Sequence, residues 1–364
     1  MATRRNFLKN FSMAGIMLFS VPPFIVPKNA EAKSRFFRNL KPVRNFISEE
    51  PATESIIFSR SSSATYFNSS GILSYAHQNL LTFSEDIIND GWTKEGSAAD
   101  AVNNIRAPDG SKTVNVLTET NEREEHRLSH SVTVNMGIKY TFSVYLKAGS
   151  CSKARLSFMN PSSYSGGNPN VFVDLSNGTI LSRTENVINN TITDAGDGWW
   201  RVSVTGNPDS GTLSGFQLFM ANDFGLINYT GTGRDLYIWG AQFEAGTAPG
   251  TYFATTDRPY AGERYNYDPS TRKLRGLMIE PAATNLLKQS LALDDTSIWL
   301  FRNVIVRTDS FISPDNQSKA IKLVEDFSPN AHFIRPAVKP SGKHRTNLHV
   351  QCFCKGGRAE MGVF

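Results

Sequence analysis

Cysteine is nearly missing: Cys151, Cys352 and Cys354 are the three in 364 residues. So few thiols cannot build the disulfide framework that replaces a core in small secreted domains, so buried apolar side chains must carry the fold. Cys352 and Cys354 stand two apart in a strand-like run, which puts both on one face as small hydrophobes rather than as a metal pair. Long amphipathic helical patterns are absent, which argues against bundles and α/β architectures. Beyond the N-terminal segment no apolar run approaches the ~20 residues that span a bilayer. The formal charge of +5 is also less than it looks, because Arg4, Arg5, Lys9 and Lys28 cluster at the N-terminus against Glu31. The rest is close to neutral, so no strongly basic face is implied and a nucleic-acid partner is not expected. There is no Gly-x-Ser-x-Gly elbow, phosphate-cradling loop or metal-ligand cluster.

What the chain does have is aromatic, Gly-punctuated alternation. Phe (24) and Tyr (11) are plentiful, and apolar residues make up 40% of the chain. Short alternating runs such as Tyr140 to Leu146, Val171 to Leu175, Trp200 to Val204, Gly215 to Met220 and Leu236 to Phe243 are separated by Gly, Asn, Asp and Pro. Such spacing predicts an all-β antiparallel β-sandwich of the jelly-roll kind. Short helical turns are expected only near Asn79–Ile88 and Asn285–Leu293.

The sequence also repeats itself. Asn79-Leu80-Leu81, Ser84, Trp92, Pro108-Asp109, Lys112, Leu117, Glu119 and His126 recur as Asn285-Leu286-Leu287, Ser290, Trp299, Pro314-Asp315, Lys319, Leu323, Glu325 and His332. A period of about 206 residues exceeds that of solenoids and implies whole-domain copies. The organisation expected is a signal over 1–32, a linker over 33–54, a β-rich lead-in over 55–78, a complete module over 79–253, a connector over 254–284 and an incomplete second module over 285–364. That second module is expected to be low in order, or to be completed by a partner chain or a homo-oligomer. Trp92 and Trp299, at matching places, read as core plugs.

Arg4, Arg5, Phe7, Leu8 and Lys9 precede an apolar stretch, and Ala30-Glu31-Ala32 has the small-x-small form of a cleavage site around Ala30 and Ala32. This is the order of an export signal of twin-arginine type, and it predicts a periplasmic or extracellular protein with no membrane association once cleaved. A retained anchor is the alternative.

Three pieces carry a family resemblance: Phe58 to Tyr66 (FSRSSSATY), Arg264 to Pro269 (RYNYDP) and Gly276 to Leu287 (GLMIEPAATNLL). Together they resemble a pattern of bacteriophage tail and virion-surface proteins. Tyr140 to Gly149, Gly198 to Val202 and Trp239 to Glu244 are similar to the carbohydrate-binding-like jelly-roll modules of those proteins. The resemblance spans about 55–364 and implies a non-catalytic carbohydrate-binding or surface-recognition role, with a glycan or cell-surface polysaccharide as partner. The export signal departs from the phage pattern and favours a secreted or envelope relative. A ligand-free spacer in a fibre or envelope assembly is the alternative, and a glycoside hydrolase with an unrecognised site is another.

In each strand, setting the aliphatic residues inward turns a mixed aromatic and polar set outward: Tyr145, Phe172, Asp174, Trp199, Arg201, Gln217 and Phe219. Rings with planar hydrogen-bonding groups match a sugar's apolar face and hydroxyl rim, so these seven are the candidate carbohydrate contacts. Loops covering those rings would cancel the reading. Trp239, in Leu236-Tyr237-Ile238-Trp239, is expected in a buried strand. His126 and His130 would sit ~13 Å apart on a strand, too far to share an ion. Glu119, Glu122, Glu124 and Glu125 read as a solvated loop rather than a hydrolytic carboxylate pair. A structural Ca²⁺ held by Asp86, Asp109 or Glu244 stands against ordinary turn chemistry at those positions, and no other cofactor is indicated.

Overall fold

The computed structural model describes residues 58, 60, 63–280, 293–316 and 319–337. The export signal, the linker and the Cys352–Cys354 pair lie outside the described residues. Two compact units emerge. One joins the described residues up to His77 to 261–280, and the other holds Gln78–Tyr260 together with the described residues beyond 292.

The first unit brings together parts of the lead-in and the connector. A hairpin of Thr65–Phe67 with Leu73–Tyr75 lies with a second hairpin of Tyr265–Tyr267 with Leu274–Leu277. The Phe67 amide donates to Asn266 Oδ1 at 2.9 Å, and buried Arg264 donates to the Thr65 carbonyl and to Glu280. Pieces of the phage-like pattern that are far apart in sequence therefore meet in this unit. Gly71, at φ +73°, is required there, since a Cβ would lie 2.7 Å from the Pro269 oxygen.

The second unit is built on an antiparallel β-sandwich. Its strands are β1 (Thr93–Glu95), β2 (Ser97–Val102), β3 (Val114–Glu119), β4 (Arg127–Thr133), β5 (Tyr140–Ala148), β6 (Lys153–Phe158), β7 (Asn170–Asp174), β8 (Thr179–Arg183), β9 (Asn189–Asp194), β10 (Trp199–Gly206), β11 (Leu213–Ala221) and β12 (Asp235–Ala245). A front sheet runs β8-β7-β6-β11-β4-β1 and a back sheet runs β9-β10-β5-β12-β3-β2. Alternation builds the core between them. Phe142, Val144 and Leu146 from β5 and Val202 and Val204 from β10 face Ala154, Leu156 and Phe158 from β6 and Phe216, Leu218 and Met220 from β11. All are fully buried, and each large side chain contributes about 1.5–3 kcal/mol. Phe142 meets Phe158 and Phe216 edge-on, with centroids 4.9 and 5.1 Å apart, which locks one sheet to the other.

In β12 the register shifts between Trp239 and Gln242, so Leu236 and Ile238 point inward before the bulge and Phe243 after it. The stretch Asn79–Ile88 forms turns rather than helix, because buried Asn79 Oδ1 accepts the amides of Leu81 and Phe243 and ties the backbone to β12. The companion stretch after Asn285 lies almost wholly outside the described residues.

Beyond residue 292 the described strands are β13 (Trp299–Arg302), β14 (Val304–Ile312), β15 (Lys319–Glu325) and β16 (Phe333–Pro336). They form two antiparallel pairs, β13 with β16 and β14 with β15.

Candidate functional site

The seven candidate contacts do not form one surface. Tyr145, Trp199 and Arg201 lie on the outer face of the back sheet, whereas Phe172, Asp174, Gln217 and Phe219 lie on the outer face of the front sheet. Alternation assigned the faces correctly. It did not show what covers them.

On the back sheet the two outer-face tryptophans, Trp199 and Trp239, are covered. Trp199 is 1% exposed, and its indole N–H donates to the Arg106 carbonyl at 3.0 Å. It forms a second apolar cluster with Trp239, Ala107 and Val114, edged by Ile105, Tyr237 and Tyr252. The segment between β2 and β3 folds over this part of the sheet, so Trp199 is a packing residue and not a sugar platform. Tyr145 packs against Trp239 and Tyr252, and Arg201 sits over the Tyr145 ring at 5.3 Å while donating to Ser143 Oγ. Trp239 is buried as expected, but on this outer side, with its N–H on Thr113 Oγ1.

The front sheet keeps an open cleft of about 490 Å³. Strand register aligns Phe172, Arg155, Phe219, Arg127 and Glu95 in one cross-strand row, and Asn170, Ser157, Gln217, Ser129 and Thr93 in the next. Phe219, at 3% exposure, is roofed by two guanidiniums, with Arg155 Cζ 4.3 Å and Arg127 Cζ 5.8 Å from its centroid. The ring expected to meet a sugar is therefore covered, and the flat groups presented are the arginine planes.

The two arginines differ sharply. Arg127 is an ion-pair partner of both Glu125 and Glu95. The Arg155 guanidinium makes no hydrogen bond or ion pair among the described residues, while the Nε of each arginine is buried without a partner there. Burial pulls the Arg155 pKa below its ordinary value, and the charge of Glu125 works the other way.

The far wall is the loop 159–169. Asn160, in the left-handed region at φ +64°, donates to the Leu213 carbonyl, and Ser163 Oγ donates to the same oxygen at 2.6 Å. Asn186 Nδ2 holds the Gly167 carbonyl at 2.7 Å. This pinned loop places Asn168 Oδ1 in the wall, buried and without a hydrogen bond among the described residues. The Gln217 amide also makes no hydrogen bond among the described residues. Arg155, Arg127 and Asn168 went unread in the sequence. Ala154, Leu156 and Phe158 pointing inward would have turned Arg155 outward by the rule used for the aromatic strands.

Trp92 is buried, edge-on to Phe216 and His130. His126 is also buried, with both ring nitrogens facing main-chain carbonyls, of Gly96 and Tyr229. Glu119 is not solvated: it is a buried β3 carboxylate that accepts from Tyr229, Thr232 and Arg234. Burial would raise its pKa, but those donors outweigh burial and hold it low. Among the described residues no three His, Cys, Asp or Glu side chains gather as a metal site. Asp109 caps the Ser111 amide, and Glu244 accepts from Gln242 and the Gly250 amide.

No protein-family model matches this sequence, and no curated protein is similar enough to count as a match. Several solved structures are similar to part of it. One is TmCBM61 in complex with β-1,4-galactotriose, with 13% identity and a TM-score of 0.29 over 47% of this chain and 100% of that one. Another is the CBM22-1 xylan-binding domain of Paenibacillus barcinonensis Xyn10C, with 17% identity and a TM-score of 0.29 over 48% and 97%. A third is the enzymatically active domain of bacteriophage CBA120 tailspike protein 4, with 10% identity and a TM-score of 0.29 over 46% of this chain and 21% of that one. At these scores the likeness fixes neither a ligand nor a binding face.

Proposed function

We propose that this chain is a non-catalytic carbohydrate-binding module of phage-tail-like type, exported from the cytoplasm, and that it takes a glycan in the front-sheet cleft. The observation that carries this reading is the set of unsatisfied polar groups on rigid elements. Arg155 and Gln217 stand on paired strands and Asn168 on a pinned loop, all lining one open cleft, and Arg155 Nε and Asn168 Oδ1 are buried without a partner among the described residues. Buried polar groups ordinarily have partners, and a ring of sugar hydroxyls supplies both donors and acceptors to such a set. Hydrolysis fits less well, because it uses two carboxylates and Glu125 is the one carboxylate in the cleft lining, already held by Arg127.

Glycan-array binding by the full chain tests the reading. Gln217→Ala and Asn168→Ala should each weaken binding about tenfold with unchanged thermal melting. Binding untouched by both would place the ligand elsewhere. The covered tryptophan cluster on the back sheet favours a second reading, a ligand-free spacer in a fibre or envelope assembly. Absence of binding across a broad array would support it. Export is tested by replacing Arg4 and Arg5 with Lys in a bacterium that carries the twin-arginine system. The wild type should reach the periplasm or medium and the variant should not.

A further inference from the structure

One ring, Phe219, carries an arginine on either side, and the two have opposite surroundings. Arg127 is bonded to two carboxylates, Glu95 and Glu125, whereas Arg155 is bonded to none among the described residues and feels Glu125 only through its charge. An arginine drawn partly out of water without an anion is costly, and its planar fork matches a carboxylate bidentately. The cleft opens onto Arg155 and leaves it room to accept such a group from outside.

We infer that the cleft selects acidic glycans, with the carboxylate of a uronate-type sugar pairing with Arg155 across the face of Phe219. This rests on the glycan reading above and narrows it to a ligand class. Asn168 and Gln217 then serve the hydroxyls beside the carboxylate. Glu125 faces the same space and opposes an incoming anion. Its bond to Arg127 already engages one of its oxygens, so it tempers affinity without closing the site.

The experiment is calorimetric titration of the full chain with oligogalacturonate, with the same oligomer methyl-esterified on its carboxyls, and with a neutral oligosaccharide panel. The free acid should bind at least tenfold more tightly than the ester, and its affinity should fall as salt is raised. Arg155→Met should reduce binding of the acid by about 30-fold or more while leaving the ester's weak binding unchanged. Arg155→Lys, which keeps the charge but loses the fork, should fall between them, and Glu125→Gln should tighten the acid. Melting curves of each variant separate loss of contact from loss of fold. Equal binding of acid and ester, or an Arg155→Met protein that binds acid as well as wild type, overturns the acidic selection and leaves the glycan reading standing. Tighter binding of a sulfated oligomer than of the uronate overturns the carboxylate assignment. Failure of every sugar, neutral ones included, overturns both.

Discussion

In the sandwich, β1 pairs with β4 through Thr93–Ser129, Lys94–Leu128 and Glu95–Arg127, and far along the chain β13 pairs with β16 through Leu300–Arg335, Phe301–Ile334 and Arg302–Phe333. When Trp92 is aligned on Trp299 and His126 on His332, these are the same pairs. The second ladder agrees as well: Ser97–Glu119 to Asp100–Val116 in β2 and β3 answer Val304–Glu325 to Arg307–Lys322 in β14 and β15. What differs is the next neighbour. In the sandwich β4 also pairs with β11, and β3 with β12. Among the described residues β15 and β16 have no such second partner. Leu117 is accordingly 0% exposed and its counterpart Leu323 is 42% exposed. Register is thus a local property, set by alternation and turns, whereas burial comes from strands that arrive much later in sequence.

The largest contrast should come from the paired carboxylates. Glu119→Ala leaves Arg234 and Tyr229 without their buried partner and should cost about 3–5 kcal/mol in urea unfolding, while Glu325→Ala, on an exposed residue, should stay within about 0.5 kcal/mol. The pH dependence follows from the same geometry. The folded Glu119 carboxyl is held below its ordinary value of 4.5, so its contribution is complete above that value and is lost as pH falls through the lower folded one. Glu119→Gln should flatten this acid limb, and an unchanged limb would mean that other carboxylates govern it.

Next in size are the leucines. Leu117→Ala opens a cavity in the sandwich core and should cost about 2–5 kcal/mol, against less than about 1 kcal/mol for Leu323→Ala. Equal losses would show that the second ladder is packed as tightly as the first and would end the comparison.

The same division between local and distant information decides what could be read from the sequence. Strand runs such as Phe142-x-Val144-x-Leu146 state their inner face outright, and the β-sandwich followed from them. Trp199 was placed on the right side of its strand, yet its cover is the irregular segment carrying Ile105 and Ala107, which has no period to detect. Glu119 looked solvated because Glu122, Glu124 and Glu125 surround it in sequence, but its partners Tyr229, Thr232 and Arg234 come more than a hundred residues later. Aromatic residues drew the eye to Phe172 and Phe219. The unpartnered group beside them is Arg155, and its lack of a partner is a fact about three strands at once.

The smallest and sharpest test lies in the two tryptophans at matching places. Trp92 is 1% exposed and donates its indole N–H to the Phe83 carbonyl at 2.9 Å, and Trp299 is 6% exposed with an indole nitrogen that has no partner among the described residues. Phenylalanine keeps much of the apolar bulk and removes the donor. At Trp92 the change strands a carbonyl as well as shrinking the plug, so Trp92→Phe should cost about 1–2 kcal/mol. At Trp299 it removes a buried donor that was already unsatisfied, so the loss of volume is offset and Trp299→Phe should be close to neutral. Tryptophan fluorescence of each variant through a urea titration reads both. If Trp299→Phe destabilised as much as Trp92→Phe, the second indole would have a partner in solution, and the two ladders would be alike in packing as well as in register.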